Sequence, residues 1–241
     1  MIEKTKGIVL HQVKYTDSGI VVWLYTRNFG RQSVLIKGLR KKKTGKHSVF
    51  FQPLFILDLV MYNKESRSMQ TLKEFSVSYA PVDIYANVRK SCIAIFLGEV
   101  LASVLREESA NEALFDYIED SVIYLDRRKT GFVNFHIAFL AGLASFLGFE
   151  PGLKTNPQNN WFDMMEGKFV PVPPVHGNYA ATEISDILAD FFNTSFDSAK
   201  NIALTGSQRN EVLETIMKYY SLHLPGLKKI KSLEVLKEIF R

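Results

Sequence analysis

Two hydrophobic periods run along this chain, and the change between them falls near residue 80. Before it, short apolar and β-branched segments alternate with polar turns, the pattern of strands. Residues 7–13 (Gly-Ile-Val-Leu-His-Gln-Val) are a first candidate, and residues 20–26 (Ile-Val-Val-Trp-Leu-Tyr-Thr) a second, rich in β-branched and aromatic side chains. Arg27-Asn28-Phe29-Gly30 supplies a turn, with Gly30 able to take positive φ. Residues 32–37, 54–62 and 69–78 are the third, fourth and fifth strands, the last two joined by a polar connection at 63–68. Five strands in about 80 residues without a convincing helix predict a small closed barrel, since closure removes edges that so small a sheet would expose. An OB-type barrel fits the pattern, and an SH3-like barrel remains open as the alternative.

After Ala80-Pro81 the period becomes helical. Apolar positions at Ile84, Val88, Cys92, Ile95, Leu101 and Leu105 predict one amphipathic helix over 83–106. Ser109-Ala110-Asn111-Glu112 matches a capping box opening a second helix through Leu114, Ile118, Val122 and Leu125. Residues 132–147 are apolar almost all round, as in the buried centre of a bundle, and Gly148 would cap them. Five prolines then interrupt residues 149–179, predicting an irregular insertion with a small hairpin near Glu166-Gly167. Helices resume over 182–192, 208–223 and 232–240. The fold class expected is α+β: a barrel domain over 1–80 and a helical domain over 81–241.

Charge sharpens this division. The 241 residues carry a net charge of +5, but residues 1–80 hold 14 Lys+Arg against 5 Asp+Glu, a net +9. Residues 81–241 hold 16 against 20, a net −4. The excess is concentrated in Lys37-Gly38-Leu39-Arg40-Lys41-Lys42-Lys43-Thr44-Gly45-Lys46, directly after the apolar Ser33-Val34-Leu35-Ile36. Unpaired ammonium groups do not leave water cheaply, so this run belongs on a loop projecting from a packed strand. Lys37, Arg40, Lys41, Lys42, Lys43 and Lys46 suit a polyanion, releasing counterions for each phosphate neutralised. Lys14, Arg27 and Arg31 extend the patch if their strands are neighbours. A solvated loop without a ligand is the plainer account of any charge run.

Aromatic side chains offer base stacking as a second element of nucleic-acid binding. Tyr15, Tyr25, Phe29, Phe50, Phe51 and Tyr62 are candidates, and most will be barrel core. Phe29 in its turn and Phe50 beside the basic run are the two expected at the surface. Other chemistries find little support. Gly38 and Gly45-Lys46 do not make a phosphate loop, because the glycines are seven positions apart and His47 follows the lysine. The five histidines lack metal-ligand spacing, and the single Cys92 rules out a disulfide within the chain. No nucleophile has a recognisable base partner, so no catalytic residue and no cofactor is expected. No signal or transit peptide pattern is visible, predicting a cytoplasmic location. The alternatives are an RNA-binding OB protein of translation or RNA processing and, with less in its favour, a nuclease or phosphotransferase.

Five segments resemble the RecO family of recombination mediators. They are Gly7-Ile8-Val9-Leu10 with Lys14-Tyr15-Thr16-Asp17-Ser18; Tyr25-Thr26 with Gly30 and the stretch 33–41; Gln52-Pro53-Leu54 leading to Leu57-Asp58-Leu59; Phe146-Leu147-Gly148-Phe149-Glu150-Pro151; and Tyr219-Tyr220-Ser221-Leu222-His223-Leu224 with Lys231-Ser232-Leu233. The resemblance implies an OB barrel followed by a helical domain. It implies binding to single- and double-stranded DNA, annealing of complementary strands, contact with the acidic tail of single-stranded DNA-binding protein (SSB), and cooperation with RecR, RecF and RecA on nucleoid DNA. It places much of the DNA contact on the basic barrel face. Arg127, Arg128 and Lys129 are candidate cations for the SSB tail, although they also suit the C-terminal end of their own helix. Many relatives carry a four-cysteine zinc module in the insertion. Residues 149–179 contain no cysteine, so thiolate zinc binding is excluded there, and Trp161, Phe162 and Phe169 are expected to pack the segment instead.

Overall fold

The computed structural model describes residues 2–16, 19–37, 47–63, 68–105 and 109–241, with Lys37, His47 and Ser48 described by their backbone alone. The chain forms two compact units, 1–127 and 128–241.

In the first unit the strands are β1 (Ile2–Thr16), β2 (Gly19–Thr26), β3 (Gly30–Lys37), β4 (Ile56–Tyr62) and β5 (Gln70–Tyr79). They close into a barrel of order β1-β2-β3-β5-β4. β1 is long because it serves two neighbours. Its first half pairs with β4, from Ile2↔Tyr62 to Ile8↔Ile56, and its second half with β2, from Gly7↔Thr26 to Thr16↔Gly19. A short parallel bridge, Val34↔Gln70 and Leu35↔Thr71, completes the circle. This is the expected OB-type barrel. Val9, Val22, Leu24, Val34, Ile36, Leu57, Leu59 and Met61 fill the interior, joined by Phe51 from a 3-10 turn over His47–Phe51.

Three helices belong to the same compact unit as the barrel: α1 (Val82–Ala86), α2 (Val88–Val104) and α3 (Glu112–Arg127). Secondary structure therefore changes at residue 80, whereas the compact unit ends at Arg127. The single helix expected over 83–106 is broken at Asn87, whose extended backbone and side chain cap α2 by accepting from Arg89 N and Lys90 N at 3.0 and 3.3 Å. An Asn at that point satisfies two otherwise orphaned amides, and this outweighs continuation of the apolar spacing. The start of α3 also differs from expectation. Asn111 Oδ1 accepts from Leu114 N at 3.0 Å, so Asn111 rather than Ser109 caps the helix.

A buried polar knot ties these helices to β5. Asp126 accepts from Ile84 N and from Tyr79 Oη, each at 2.8 Å, while the buried Lys90 donates from Nζ to Asp126 O at 2.9 Å. Burial and then the Asp126 hydrogen bond push the Tyr79 phenol up to about 12. Cys92 is half-buried on α2, short of the full burial its apolar flanks predict, and burial raises its thiol pKa.

The second unit centres on α4 (Phe135–Phe146), with α5 (Thr182–Phe192), α6 (Phe196–Ala199), α7 (Gly206–His223) and α8 (Ser232–Ile239). Gly148, at φ +84°, ends the α4 segment: its N–H donates to Ser145 O and that of Phe149 to Ala144 O, each at 3.2 Å. The insertion holds the expected hairpin, β6 (Trp161–Asp163) with β7 (Lys168–Val170), turning at Gly167 with φ +64°. A third strand, β8 (Tyr179–Ala180), pairs with β6. Phe162 lies 4.9 Å from Phe169 and 5.2 Å from Phe192 between ring centroids, and Trp161 meets Tyr179 at 5.1 Å, so aromatic rings do pack this segment.

Two outcomes follow from the packing. α2 crosses β1 at Gly98, where a Cβ would lie 2.7 Å from Leu10 O and 2.8 Å from Pro53 Cβ. Gly98→Ala should cost about 1–3 kcal/mol in chemical denaturation, and an unchanged midpoint would refute the close approach. His136 on α4 is buried against the Phe240 ring, and burial, with Arg209 nearby, lowers its pKa from 6.5 to about 3. Between those two pH values the unfolded chain takes up a proton that the folded chain refuses, so stability falls as pH falls through that window. His136→Gln should show a shallower loss of thermal midpoint there; an equal loss in both proteins would assign the acid sensitivity elsewhere.

Candidate nucleic-acid interface

Filling the barrel with one side of each strand fixes what the other side presents. With Val22 and Leu24 inside, β2 turns Val21, Trp23 and Tyr25 outward. With Val34 and Ile36 inside, β3 turns Arg31, Ser33 and Leu35 outward, in the register Tyr25↔Arg31, Trp23↔Ser33 and Val21↔Leu35. β1 joins this face through a bulge between Val9 and His11, which sets His11 beside Trp23.

The rings of His11 and Trp23 have centroids 5.5 Å apart, tilted by 54°. The Arg31 guanidinium lies 4.9 Å from the Trp23 ring centroid, and its Nη1 donates to Leu105 O at 3.1 Å. Arg31 is thus oriented by an aromatic face and by a carbonyl at the end of α2. Further along, Val13 is 39% and Tyr15 60% exposed. OB barrels commonly bind oligonucleotides across the face of their second and third strands.

The cations fall into separate groups. Lys14 pairs in register with Ile20, and Ile20 with Ile36, so Lys14 stands two strands from Ile36, roughly 10 Å between backbones. Lys14 is exposed, and Lys37 ends β3 at the same end of the barrel, opposite Gly19. Arg40, Lys41, Lys42, Lys43 and Lys46 follow directly in sequence and lie outside the described residues. Arg27 sits at the other end of β2. Its guanidinium pairs with Asp116 and, at 3.1 Å, with Glu112 of α3, which together hold it charged. Lys6 pairs nearby with Glu119 at 2.9 Å.

The two phenylalanines expected at the surface are half-buried instead. Phe29 packs on the barrel core, and Phe50 packs there with ring centroids 6.5 Å from Phe55 and 6.3 Å from Phe75. Trp23 and His11, which were not among the stacking candidates, occupy the open face with Tyr15. Arg127 is exposed at the end of α3, Arg128 pairs with Asp197 at 3.1 Å, and Lys129 is exposed. Among the described residues no cluster of three His, Cys, Asp or Glu is placed to hold a metal ion, and no helix is long and apolar enough to cross a membrane.

Comparison with known proteins agrees with this architecture. Residues 1–80 match the family model described as Recombination protein O N terminal, and residues 86–234 match Recombination protein O C terminal. The chain belongs to the RecO family. Proteins named DNA repair protein RecO are similar along its length: one from Bacteroides fragilis is 37% identical and one from Phocaeicola vulgatus 36%, each covering 100% of both chains. Another, from Flavobacterium psychrophilum, is 34% identical over 98% of each chain. In this RecO-family barrel, Trp23 is a direct reporter of the open face. In a Trp161→Phe background, single-stranded DNA should quench and shift Trp23 emission; emission unmoved at saturating DNA would place the strand elsewhere.

Proposed function

We propose that this chain is a DNA-binding mediator of recombinational DNA repair that performs no bond-making chemistry of its own. The observation that carries this reading is the continuity of the barrel face. An open surface of Tyr15, Val13, His11, Trp23 and Arg31 runs along β1, β2 and β3, and β3 leads straight into the cationic run. Stacking on such a face contributes about 1–3 kcal/mol per base, and the neighbouring cations neutralise phosphate.

In this account residues 1–80 are the nucleic-acid domain. Lys14, Arg31, Lys37, Arg40, Lys41, Lys42, Lys43 and Lys46 meet the backbone of single- or double-stranded DNA. Screening of phosphate repulsion between two bound strands lets complementary bases meet, which is annealing. Residues 81–241 supply partner contacts: the acidic tail of SSB, with Arg127, Arg128 and Lys129 as its cations, and RecR, with RecF and RecA acting in the same process. The protein works on nucleoid DNA in the cytoplasm. The absence of cysteine from the insertion supports a segment held by its aromatic rings rather than by thiolate-bound zinc.

Replacing Lys41, Lys42 and Lys43 together by Ala should weaken single-stranded DNA binding and reduce the slope of log affinity against log salt by about 2, near 0.7 for each lost phosphate contact. Unchanged affinity and slope would remove the run from the interface. Annealing of complementary strands coated with the cognate SSB should be accelerated by the protein, and less so when the SSB tail is deleted. Tighter binding to structured RNA, with no response to SSB, would overturn the reading.

A further inference from the structure

The two ends of the barrel face differ in the charges near them: the cationic run follows β3 in sequence at one end, and carboxylates of α3 pair with Arg27 and Lys6 at the other. β3 carries Lys37 at one end and begins at Gly30 at the other, roughly 23 Å away at the usual strand rise. Beyond Gly30, Arg27 and Lys6 would continue a cationic track. α3 lays carboxylates on both. Glu112, Asp116 and Glu119 stand at i, i+4 and i+7, one stripe of the helix. Arg27 Nη1 donates to Asp116 Oδ1, its Nη2 donates to Asp116 Oδ2 at 3.2 Å and to Glu112 Oε2 at 3.1 Å, and Lys6 Nζ donates to Glu119 Oε1 at 2.9 Å.

Two-pronged donation to two oxygens of one group is the geometry with which a guanidinium also grips phosphate. The carboxylates therefore occupy the positions that phosphate oxygens would take. α3 also packs on the barrel through the buried Phe115, whose ring lies at 22° and 6.4 Å from that of Tyr25. Asp116 and Glu112 keep 49% and 65% of their side chains exposed, so solvent and solutes reach these pairs.

We propose that the Glu112–Asp116–Glu119 stripe of α3 is a built-in competitor for phosphate: it ends the nucleic-acid track near Trp23 and Arg31 and withholds Arg27 and Lys6 from it. The proposal rests on the DNA-binding reading above. It makes the acidic helix a determinant of where a strand lies, with charge attracting at one end of the face and repelling at the other.

The test uses the full-length chain and a dye-labelled oligothymidine titrated at several salt concentrations. Glu112→Gln with Asp116→Asn should bind roughly threefold to tenfold more tightly at low salt, with the salt slope steeper by about 0.7 as Arg27 gains a phosphate. The gain should vanish when Arg27→Gln is added, whereas Arg27→Gln alone changes affinity by less than about twofold. A charge-matched control on the other unit, Asp190→Asn with Glu211→Gln, separates local competition from a general change in net charge. The single variant Glu112→Gln, at the more exposed carboxylate, should give a smaller gain of the same sign. Unchanged affinity and slope overturn the proposal, as does a gain that survives loss of Arg27 or is matched by the control. A wild-type chain that binds no oligothymidine at any salt overturns the DNA-binding reading itself, and this inference with it.

Discussion

Everything in the first unit follows from β1 pairing on both sides. A strand that bonds β4 with its first half and β2 with its second closes the sheet. Closure forces one side chain of every two into a small apolar interior. The opposite side chains are then committed to the exterior in fixed register. This is why Trp23, His11 and Arg31, distant in sequence, share one surface. Closure also sets where β3 ends. In sequence, the cationic run begins where β3 ends, at Lys37.

The helices that follow belong to this arrangement. Buried Lys90 and Asp126 hold α1, α2 and β5 together at the end of α3, and Leu105 O at the end of α2 orients Arg31. α3 in turn covers Tyr25 with Phe115 and pairs with Arg27 and Lys6. The barrel alone is strongly basic, whereas residues 81–127 carry 9 acidic against 4 basic residues. The positive field of the first unit is therefore shaped as much by the helices as by the barrel. Lys14 is exposed at the end of the barrel where β3 finishes.

Much of this was legible in the chain. Strand periodicity located all five barrel strands, whereas the cationic run that follows Lys37 in sequence lies outside the described residues. The limits were physical. Residues 20–25 are apolar on both faces, because α3 buries Tyr25 from outside while the barrel buries Leu24 from within; alternation could not reveal that Trp23 points outward. Arg27 looked like a free cation because its partner Asp116 lies 89 positions away. Phe29 and Phe50 flank turns, yet curvature of a small barrel brings turn residues over its core. Asn87 interrupts a spacing that itself continues unbroken, and only the cap geometry shows the break.

The central claim is that nucleic acid lies on the outward face of β1, β2 and β3 and on the cationic run after it. Ultraviolet crosslinking of the intact protein to a single-stranded oligonucleotide, with the crosslinked peptides mapped by mass spectrometry, tests it most directly. The account predicts crosslinks at His11, Tyr15 and Trp23 and in peptides spanning residues 31–46. Crosslinks confined to residues 128–241, with the barrel peptides unmodified at saturating oligonucleotide, would contradict it.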